Sequence, residues 1–203
     1  MFIYDLVGTE DNLPYQNLAA ANLGRQYSFL RSVVEASLAL NQTVLSIEAL
    51  KALNYHAIAC LHFSAGAFRP CEVKVGDHKP AAHFQVPSLM QMFTNEVNRI
   101  WENTDDVLLA AYVLWRLNYI HPFVNGNGRT ARAACHLVLC MKLGGWLPGD
   151  IILPELLRSN RDEYVAALIH ADRSLAEGPV DLAPLHALLT RLLSEQLSSA
   201  KLA

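Results

Sequence analysis

The sequence predicts a mainly α-helical single domain, and three features of the chain support this prediction. Residues 17–40 are rich in Ala and Leu and contain few residues that break helices. After Pro87, apolar residues recur with the spacing of one helical face. Only residues 68–86 break the helical pattern and read as strand. With 52% hydrophobic and 17% charged residues among 203, the chain can bury a large core.

Start and stop signals divide the chain into seven predicted helices. Pro87 opens the amphipathic segment, and Asp105 or Asp106 is a candidate N-cap for the next helix. That helix is apolar nearly all round, which predicts that it forms the buried centre of the fold. Gly144 and Gly145 should end the helix after it. The predicted helices cover residues 17–40, 46–63, 87–101, 107–119, 128–143, 161–171 and 181–197, and residues 148–154 are predicted to be a loop.

The exception to the helical pattern is a predicted β-hairpin. Val73 and Val75 alternate with polar residues, and Gly76-Asp77 follows them. Phe84 and Val86 continue the apolar pattern after this turn signal. We therefore expect a short hairpin within residues 68–86, with its turn near residues 76–80.

Composition excludes several classes of protein. The net charge is −3 and no basic run is present, which argues against nonspecific binding to nucleic acid or to an anionic membrane. No apolar stretch is long enough to span a bilayer, and the first residues lack the pattern of a signal peptide. The four cysteines form no C-x-x-C pair, so we interpret them as reduced core residues of a cytoplasmic protein.

The segment from His121 to Arg132 carries the clearest chemical signal. Pro122 disfavours helix at His121, which leaves the imidazole at the mouth of a loop. Gly126 and Gly128 allow close approach of the backbone, and the helix that follows offers free N–H groups to an anion. Arg129 and Arg132 project from its first turn, and two guanidinium groups there favour phosphate. The segment predicts a nucleotide-phosphate site.

Each of these residues also has a structural interpretation. A lone histidine is more often structural than catalytic, the glycines would suit a plain turn, and the arginines could lie on a solvated helix start. The positive end of the helix dipole, however, disfavours cations at a helix N-terminus. A plain turn would also leave the flanking His and Arg unexplained. A neutral histidine beside phosphates can take a proton from an attacking hydroxyl, so the segment indicates group transfer from a nucleotide. No Gly-Lys-Ser/Thr follows, which excludes a Walker A loop.

The same segment resembles the signature of the Fic (Fic/Doc) family, H-x-F-x-[D/E]-G-N-G-R-x-x-R. All of its fixed positions match except residue 125. Residues 66–90 resemble the family's β-hairpin flap and the helix behind it, and residues 161–168 resemble its downstream helix. The resemblance implies one Fic domain over residues 1–203, a helical bundle around a central pair of motif-bearing helices. Residues 1–57 would form a helical N-terminal part, residues 58–193 the core, and the last helix would run to about 200.

The resemblance also implies an activity and roles for the motif residues. Active members of the AMP-transferring type move AMP from ATP to a Ser, Thr or Tyr hydroxyl of a target protein. On this chain His121 would be the general base and Phe123 would anchor the loop. Arg132 would bind the terminal phosphate, and Val73 and Val75 of the flap would hold the target as an added strand. The residues assigned to the nucleotide are Gly126, Asn127, Gly128, Arg129 and Arg132.

Asn125 is the departure from the signature. The family has Asp or Glu there to hold the Mg²⁺ that accompanies ATP. Asn125 offers an oxygen without charge, so the sequence predicts a weakly held Mg²⁺ at this position. Three alternatives follow: a slow adenylyltransferase, a nucleotide-binding or interaction module with weakened catalysis, or transfer of UMP, phosphate or another phosphate-containing group. The phosphorylating Doc branch has Lys where Gly128 stands, which argues against phosphate transfer.

Regulation and assembly are open at this stage. The family's inhibitory helix has the pattern [S/T]-x-x-x-E-[G/N], and neither residues 44–49, with Glu48, nor residues 174–178, with Glu177, fit it. A separate inhibitory protein is therefore a candidate partner beside the hydroxyl-bearing target. The apolar stripe of residues 185–193 is interpreted as core or as a homodimer contact. We expect no nucleic-acid partner and no membrane association.

Overall fold

The computed structural model describes residues 1–42, 45–76 and 78–200. Within these ranges the chain forms nine α-helices and two short 3₁₀ turns, at His83–Gln85 and Trp101–Asn103. The helices are α1 (Ile3–Val7), α2 (Leu13–Ala39), α3 (Ile47–Ile58), α4 (Val86–Ile100), α5 (Asp106–Ile120), α6 (Asn127–Lys142), α7 (Leu153–Ser159), α8 (Arg161–Glu177) and α9 (Ala183–Ser199). The predicted helical class is confirmed.

The centre of the fold is the pair α5 and α6, which lie side by side. Residues 133–141 of α6 are all buried, and α5 buries eight of its residues. Helices α2 and α3 pack against α6, whereas α4 and α9 pack against α5. The apolar stripe of α9, including Leu185, Leu189 and Leu192, is completely buried in this core. A helix that is apolar nearly all round is stable when neighbours cover most of it, and the eight buried residues of α5 all belong to this core.

Local signals set several helix ends where the sequence predicts them. The side chain of Asp105 caps α5 by accepting a hydrogen bond from the Leu108 N–H at 2.9 Å. Pro87 occupies the first turn of α4, where its missing N–H costs nothing. Helix α6 ends before Gly144, which has φ of 79°.

The predicted hairpin of residues 68–86 is the main correction. In the described part of this segment, the only β-type pairing is one antiparallel bridge between Val75 and His78. Asp77, in the predicted turn, lies outside the described residues. Instead of pairing with a second strand, the carbonyl groups of Cys71 and Ala81 accept hydrogen bonds from the Arg69 guanidinium. A side chain therefore replaces the ladder that alternation predicts.

Other boundaries also differ from the prediction. Helix α3 ends at Ile58 rather than near residue 63, because later carbonyls have other partners: the Asn22 amide binds the Ala59 carbonyl, and the Ile3 N–H binds that of Cys60. Helices α1 and α7 were not predicted. Pro154, interpreted as part of a loop, lies in the first turn of α7.

Two further sequence interpretations have mixed outcomes. Cys135 and Cys140 are buried as expected, but Cys60 and Cys71 are exposed. Val44, in the segment compared with the inhibitory pattern, lies outside the described residues, and Glu48 lies in the first turn of α3. No helix among the described residues is both long enough and apolar enough to cross a membrane.

Candidate active site

His121 ends the central helix in a left-handed conformation. Its φ and ψ are 52° and 60°, and its N–H still donates to the Leu117 carbonyl at 3.0 Å. The imidazole Nδ1 lies 3.3 Å from the Asn118 carbonyl. A carbonyl can only accept, so this contact favours the proton on Nδ1 and leaves Nε2 as the basic nitrogen. Left-handed backbone is costly for a non-glycine residue and is found mainly where surrounding contacts hold it.

Arg69 supplies those contacts from beneath the loop. Its guanidinium is buried, with Nε donating to the His121 carbonyl at 2.8 Å. The main-chain N–H of Arg69 donates to the Pro122 carbonyl at 2.9 Å. The sequence assigns Arg69 only to the flap, because nothing in the spacing of residues reveals a contact across 52 positions. It is the main positioning residue that the motif does not contain.

Burial shifts the titration of the candidate base. Removal of His121 from water lowers its pKa from 6.5 to about 4, and the nearby charges of His78 and Arg69 act in the same direction. The Asn118 carbonyl opposes the shift but does not overcome it. The imidazole is therefore neutral, and able to accept a proton, throughout the neutral pH range.

The loop after His121 is held by packing and by one amide side chain. Phe123 is completely buried, and its ring lies 5.9 Å from that of Phe68. Asn127 accepts from the Phe123 N–H at 2.9 Å and donates to the Phe123 carbonyl at 2.8 Å. Gly126 has φ of 76°, and a Cβ there would lie 2.6 Å from Ile58. This position therefore requires glycine for both conformation and space.

Arg132 lies one turn after Gly128 on α6, and its side chain comes close to that glycine. A Cβ at residue 128 would lie 3.3 Å from the Arg132 Nη1, so the glycine lets the guanidinium lie close to the backbone. The Nε of Arg132 is buried and has no hydrogen-bond partner among the described residues. A buried guanidinium N–H without a partner is costly, which suits a site that binds an anion.

His121, Gly128 and Arg132 open into one cleft of about 1000 Å³ between the motif and α8. Aromatic and apolar side chains form much of its walls. Basic side chains outnumber acidic ones among the described residues that line it, where Asp172 is the acidic residue. Asp172 is itself engaged, by Trp115 Nε1 at 2.8 Å and by His78 Nδ1 at 3.4 Å. The Lys and Arg residues of the cleft are Lys79, Arg132, Arg158, Arg161 and Arg173.

Asn125 and Arg129 do not line this cleft. The Asn125 side-chain oxygen accepts from Arg129 Nη2 at 3.1 Å, and its amide donates to Glu10 Oε1 at 3.1 Å. Arg129 Nη1 also donates to the Ala57 carbonyl at 2.9 Å. Glu10 lies in addition 3.4 Å from His62 Nε2. The side chain of Asn125 is thus part of a polar network that joins the motif to the N-terminal helices.

Comparison with known proteins identifies the family of this site. The Fic/DOC family model matches residues 44–139, which include the complete segment from His121 to Arg132. "Protein adenylyltransferase Fic" of Drosophila grimshawi is 37% identical over 95 residues, or 46% of this chain and 19% of that protein. The fold is that of a solved Fic domain-containing signaling protein from Bacteroides thetaiotaomicron, with a TM-score of 0.72, 21% identity and coverage of 98% of this chain and 79% of that one. Residues 44–139 of this chain form a Fic/DOC family domain.

A second solved structure shares the Fic fold. Fic-1 from C. elegans, residues 134–508, gives a TM-score of 0.68 at 23% identity and covers 87% of this chain and 48% of that one. The Drosophila melanogaster protein adenylyltransferase Fic is 38% identical over 95 residues, or 46% of this chain and 18% of that protein. The chain thus matches about a fifth of the length of these curated relatives.

The predicted site residues of this Fic domain fall into three groups. His121, Gly128, Arg132 and Val75 line the cleft. Gly126 and Asn127 shape the loop, and the Asn127 side chain is occupied by Phe123. The third group, Asn125 and Arg129, belongs to the polar network described above. Val73 belongs to none of these groups: it is half-buried and does not line the cleft.

A divalent cation fits poorly on Asn125 in this arrangement. The one oxygen that the side chain could offer already accepts from a guanidinium, and a cation would have to displace Arg129 to reach it. No group of three or more His, Cys, Asp or Glu side chains that could hold a metal ion gathers within residues 1–42, 45–76 and 78–200. The Mg²⁺ position at residue 125 therefore stays a prediction.

Proposed function

We propose that this Fic protein is an adenylyltransferase that moves AMP from ATP to a Ser, Thr or Tyr hydroxyl of a target protein. One observation carries the proposal: a neutral imidazole and an unpartnered guanidinium face the same cleft at the start of α6. The curated relatives that carry the name protein adenylyltransferase support the same activity at the level of the family.

The proposed chemistry begins with the target hydroxyl beside His121. As its oxygen attacks the α-phosphorus of ATP, its proton passes to His121 Nε2. The bond from the α-phosphorus to the bridging oxygen breaks, and the electron pair leaves with pyrophosphate. The N-terminal turn of α6 and the Arg132 guanidinium would bind the negative oxygens that carry this charge.

The proposed docking site for the target is the segment of residues 68–86, which we call the flap segment. Among the described residues, the main-chain N–H and C=O of Val73 make no hydrogen bond, so both are free to pair with an extended peptide. Val75 lines the cleft, which would lead such a peptide toward His121. Strand addition uses main-chain groups for affinity, and the target side chain then carries the hydroxyl inward.

Labelled ATP tests this function directly. With purified protein, cell lysate and Mg²⁺ or Mn²⁺, label on the α-phosphate should appear on protein, whereas label on the γ-phosphate should not. His121→Ala should remove the transfer and keep the fold. Transfer of the γ label would instead indicate a kinase, and no transfer from any donor would reduce the site to a nucleotide-binding module. That second candidate is favoured by Asn125, whose oxygen is taken up by Arg129.

A further inference from the structure

The cleft is lined by basic side chains that the motif does not account for. Arg158, the penultimate residue of α7, and Arg161, the first residue of α8, line the same cleft as Arg132. Both side chains are exposed, whereas the Nε of Arg132 is buried. The α7–α8 junction therefore adds two guanidinium groups to the one from α6, and we call these three residues the arginine cluster.

The described neighbours neutralise this cluster only in part. Glu155 accepts from Arg158 Nε at 2.8 Å and from the Tyr27 hydroxyl at 2.6 Å, which orients Arg158 and offsets one positive charge. Arg132 and Arg161 make no ion pair with a described residue. Like charges that line one cleft repel each other, and an anion bound among them relieves that repulsion.

The cluster matches the part of the donor that carries the most charge. A guanidinium presents a rigid fork of N–H donors that binds phosphate oxygens in pairs, and it stays charged at any pH a protein tolerates. The Glu or Asp that the family signature has at residue 125 is absent, and Asn125 lies outside the cleft with its oxygen already bound. The negative charge of the phosphates, which a cation held by the protein would neutralise, must then be neutralised by other groups.

We propose that Arg158 and Arg161 join Arg132 in binding the terminal phosphates of the donor, and that this cluster neutralises them in place of a cation held by residue 125. The ligand class is an inorganic or nucleoside polyphosphate. The assignment rests on the proposed function only in taking the cleft as the donor site. It predicts that polyphosphate binding persists when divalent cations are removed.

The test uses inorganic tripolyphosphate, which has the phosphates but no nucleoside to transfer. Its binding to the full chain is measured by calorimetry in EDTA and in Mg²⁺, for the parent, Arg158→Gln and Arg161→Gln. Arg99→Gln is the matched control, since Arg99 is an exposed arginine on α4 that pairs with Glu96 at 2.7 Å and lies outside the cleft. Loss of a charge-assisted hydrogen bond predicts that each cluster variant binds about 10-fold to 150-fold more weakly. The control should bind like the parent.

The outcomes separate this proposal from the proposed function. Binding that needs Mg²⁺, or cluster variants that bind tripolyphosphate as the control does, would overturn the proposal even if the parent transfers AMP. Binding in EDTA that depends on Arg158 and Arg161 would support it even if no AMP transfer is found. Because both side chains are exposed, the variants should keep the parent's melting temperature, and circular dichroism checks this.

Discussion

At the scale of single residues, the imidazole of His121 combines a strained backbone with a fixed proton. The Asn118 carbonyl lies near Nδ1 and Arg69 binds the carbonyl oxygen of the same residue. Only Nε2 remains for the proposed chemistry. The ring is held in one orientation at the end of α5, which lowers the entropic cost of aligning it with a hydroxyl.

The first prediction concerns the pH dependence of this base. Because burial lowers its pKa to about 4, His121 should stay unprotonated as the pH falls from 8 to 5. The single-turnover rate at saturating donor should therefore change little over that range and fall only near pH 4. A decline centred near pH 6.5 would mean that the ring is hydrated in the working complex. Circular dichroism at each pH separates lost catalysis from unfolding.

The second prediction concerns Arg132. Arg132→Ala should weaken the binding of ATP by about 1.5–3 kcal/mol, since a charge-assisted hydrogen bond to a terminal phosphate is lost. AMP lacks that phosphate and should bind nearly as it does to the parent. Calorimetry with both nucleotides measures the difference, with Arg99→Ala as the control. Equal losses for ATP and AMP would remove Arg132 from the terminal phosphates.

The third prediction concerns Asn125 and Glu10. In Asn125→Asp the amide that donates to Glu10 becomes a carboxylate, which sets two negative charges at a separation now measured as 3.1 Å. The variant should melt at a lower temperature than the parent, although its new charge also faces Arg129. Adding Glu10→Gln should restore the stability, because the glutamine amide can donate to the new carboxylate. A double-mutant cycle of melting curves without this recovery would show that the two side chains are not coupled in solution.

At the scale of elements, the flap segment is where sequence and structure differ most. Alternation of Val73 and Val75 predicts a strand, but it cannot reveal that a buried arginine takes the carbonyl groups a partner strand would use. The helices were more predictable, because their caps and periodicity are local properties. Helix α7 was missed since it is a single short helix whose first turn contains the proline that suggested a loop.

The fourth prediction tests the flap as a docking strand. Proline at residue 73 removes an N–H that makes no hydrogen bond among the described residues, so the fold should tolerate it. Labelling of a protein target should drop while ATP affinity stays unchanged, because only peptide pairing needs that N–H. Val73→Thr keeps both the N–H and the branched shape and serves as the matched control. Full labelling by the proline variant would rule out strand addition at this position.

At the scale of the whole molecule, stability should depend on pH through buried histidines. His136 is fully buried in α6, neither ring nitrogen has a partner among the described residues, and burial lowers its pKa from 6.5 to about 4. The unfolded chain binds this proton near pH 6.5 and the folded chain does not. The contribution of His136 to folding stability is therefore fully present above about pH 6.5 and is lost as the pH falls toward 4.

The fifth prediction follows from this loss of stability at low pH. Urea unfolding at pH 5 should give a lower free energy of unfolding than at pH 7, and His136→Leu should reduce the difference because leucine has no proton to bind. His121 contributes in the same direction, so part of the dependence should remain. An unchanged pH dependence in the leucine variant would assign the effect to other groups.

The helical class of the fold and the motif residues that line the cleft could be predicted from the sequence, whereas the arrangement of side chains in the candidate site could not. The motif located the cleft, because His121, Gly128 and Arg132 follow from loop and helix geometry. The sequence could not show that the Asn127 side chain binds the main chain of Phe123 rather than a ligand. Contacts of this kind depend on the path of the main chain in three dimensions, which periodicity does not encode.

The buried guanidinium of Arg69 has a mechanical consequence. One side chain ties the carbonyls of Cys71 and Ala81, on the segment proposed to receive the target, to the carbonyl of His121, on the loop that carries the base. Displacing either segment would break hydrogen bonds to Arg69, which also binds the other segment. If a target peptide binds this segment as proposed, Arg69 would connect that contact to the main chain that carries the imidazole of His121.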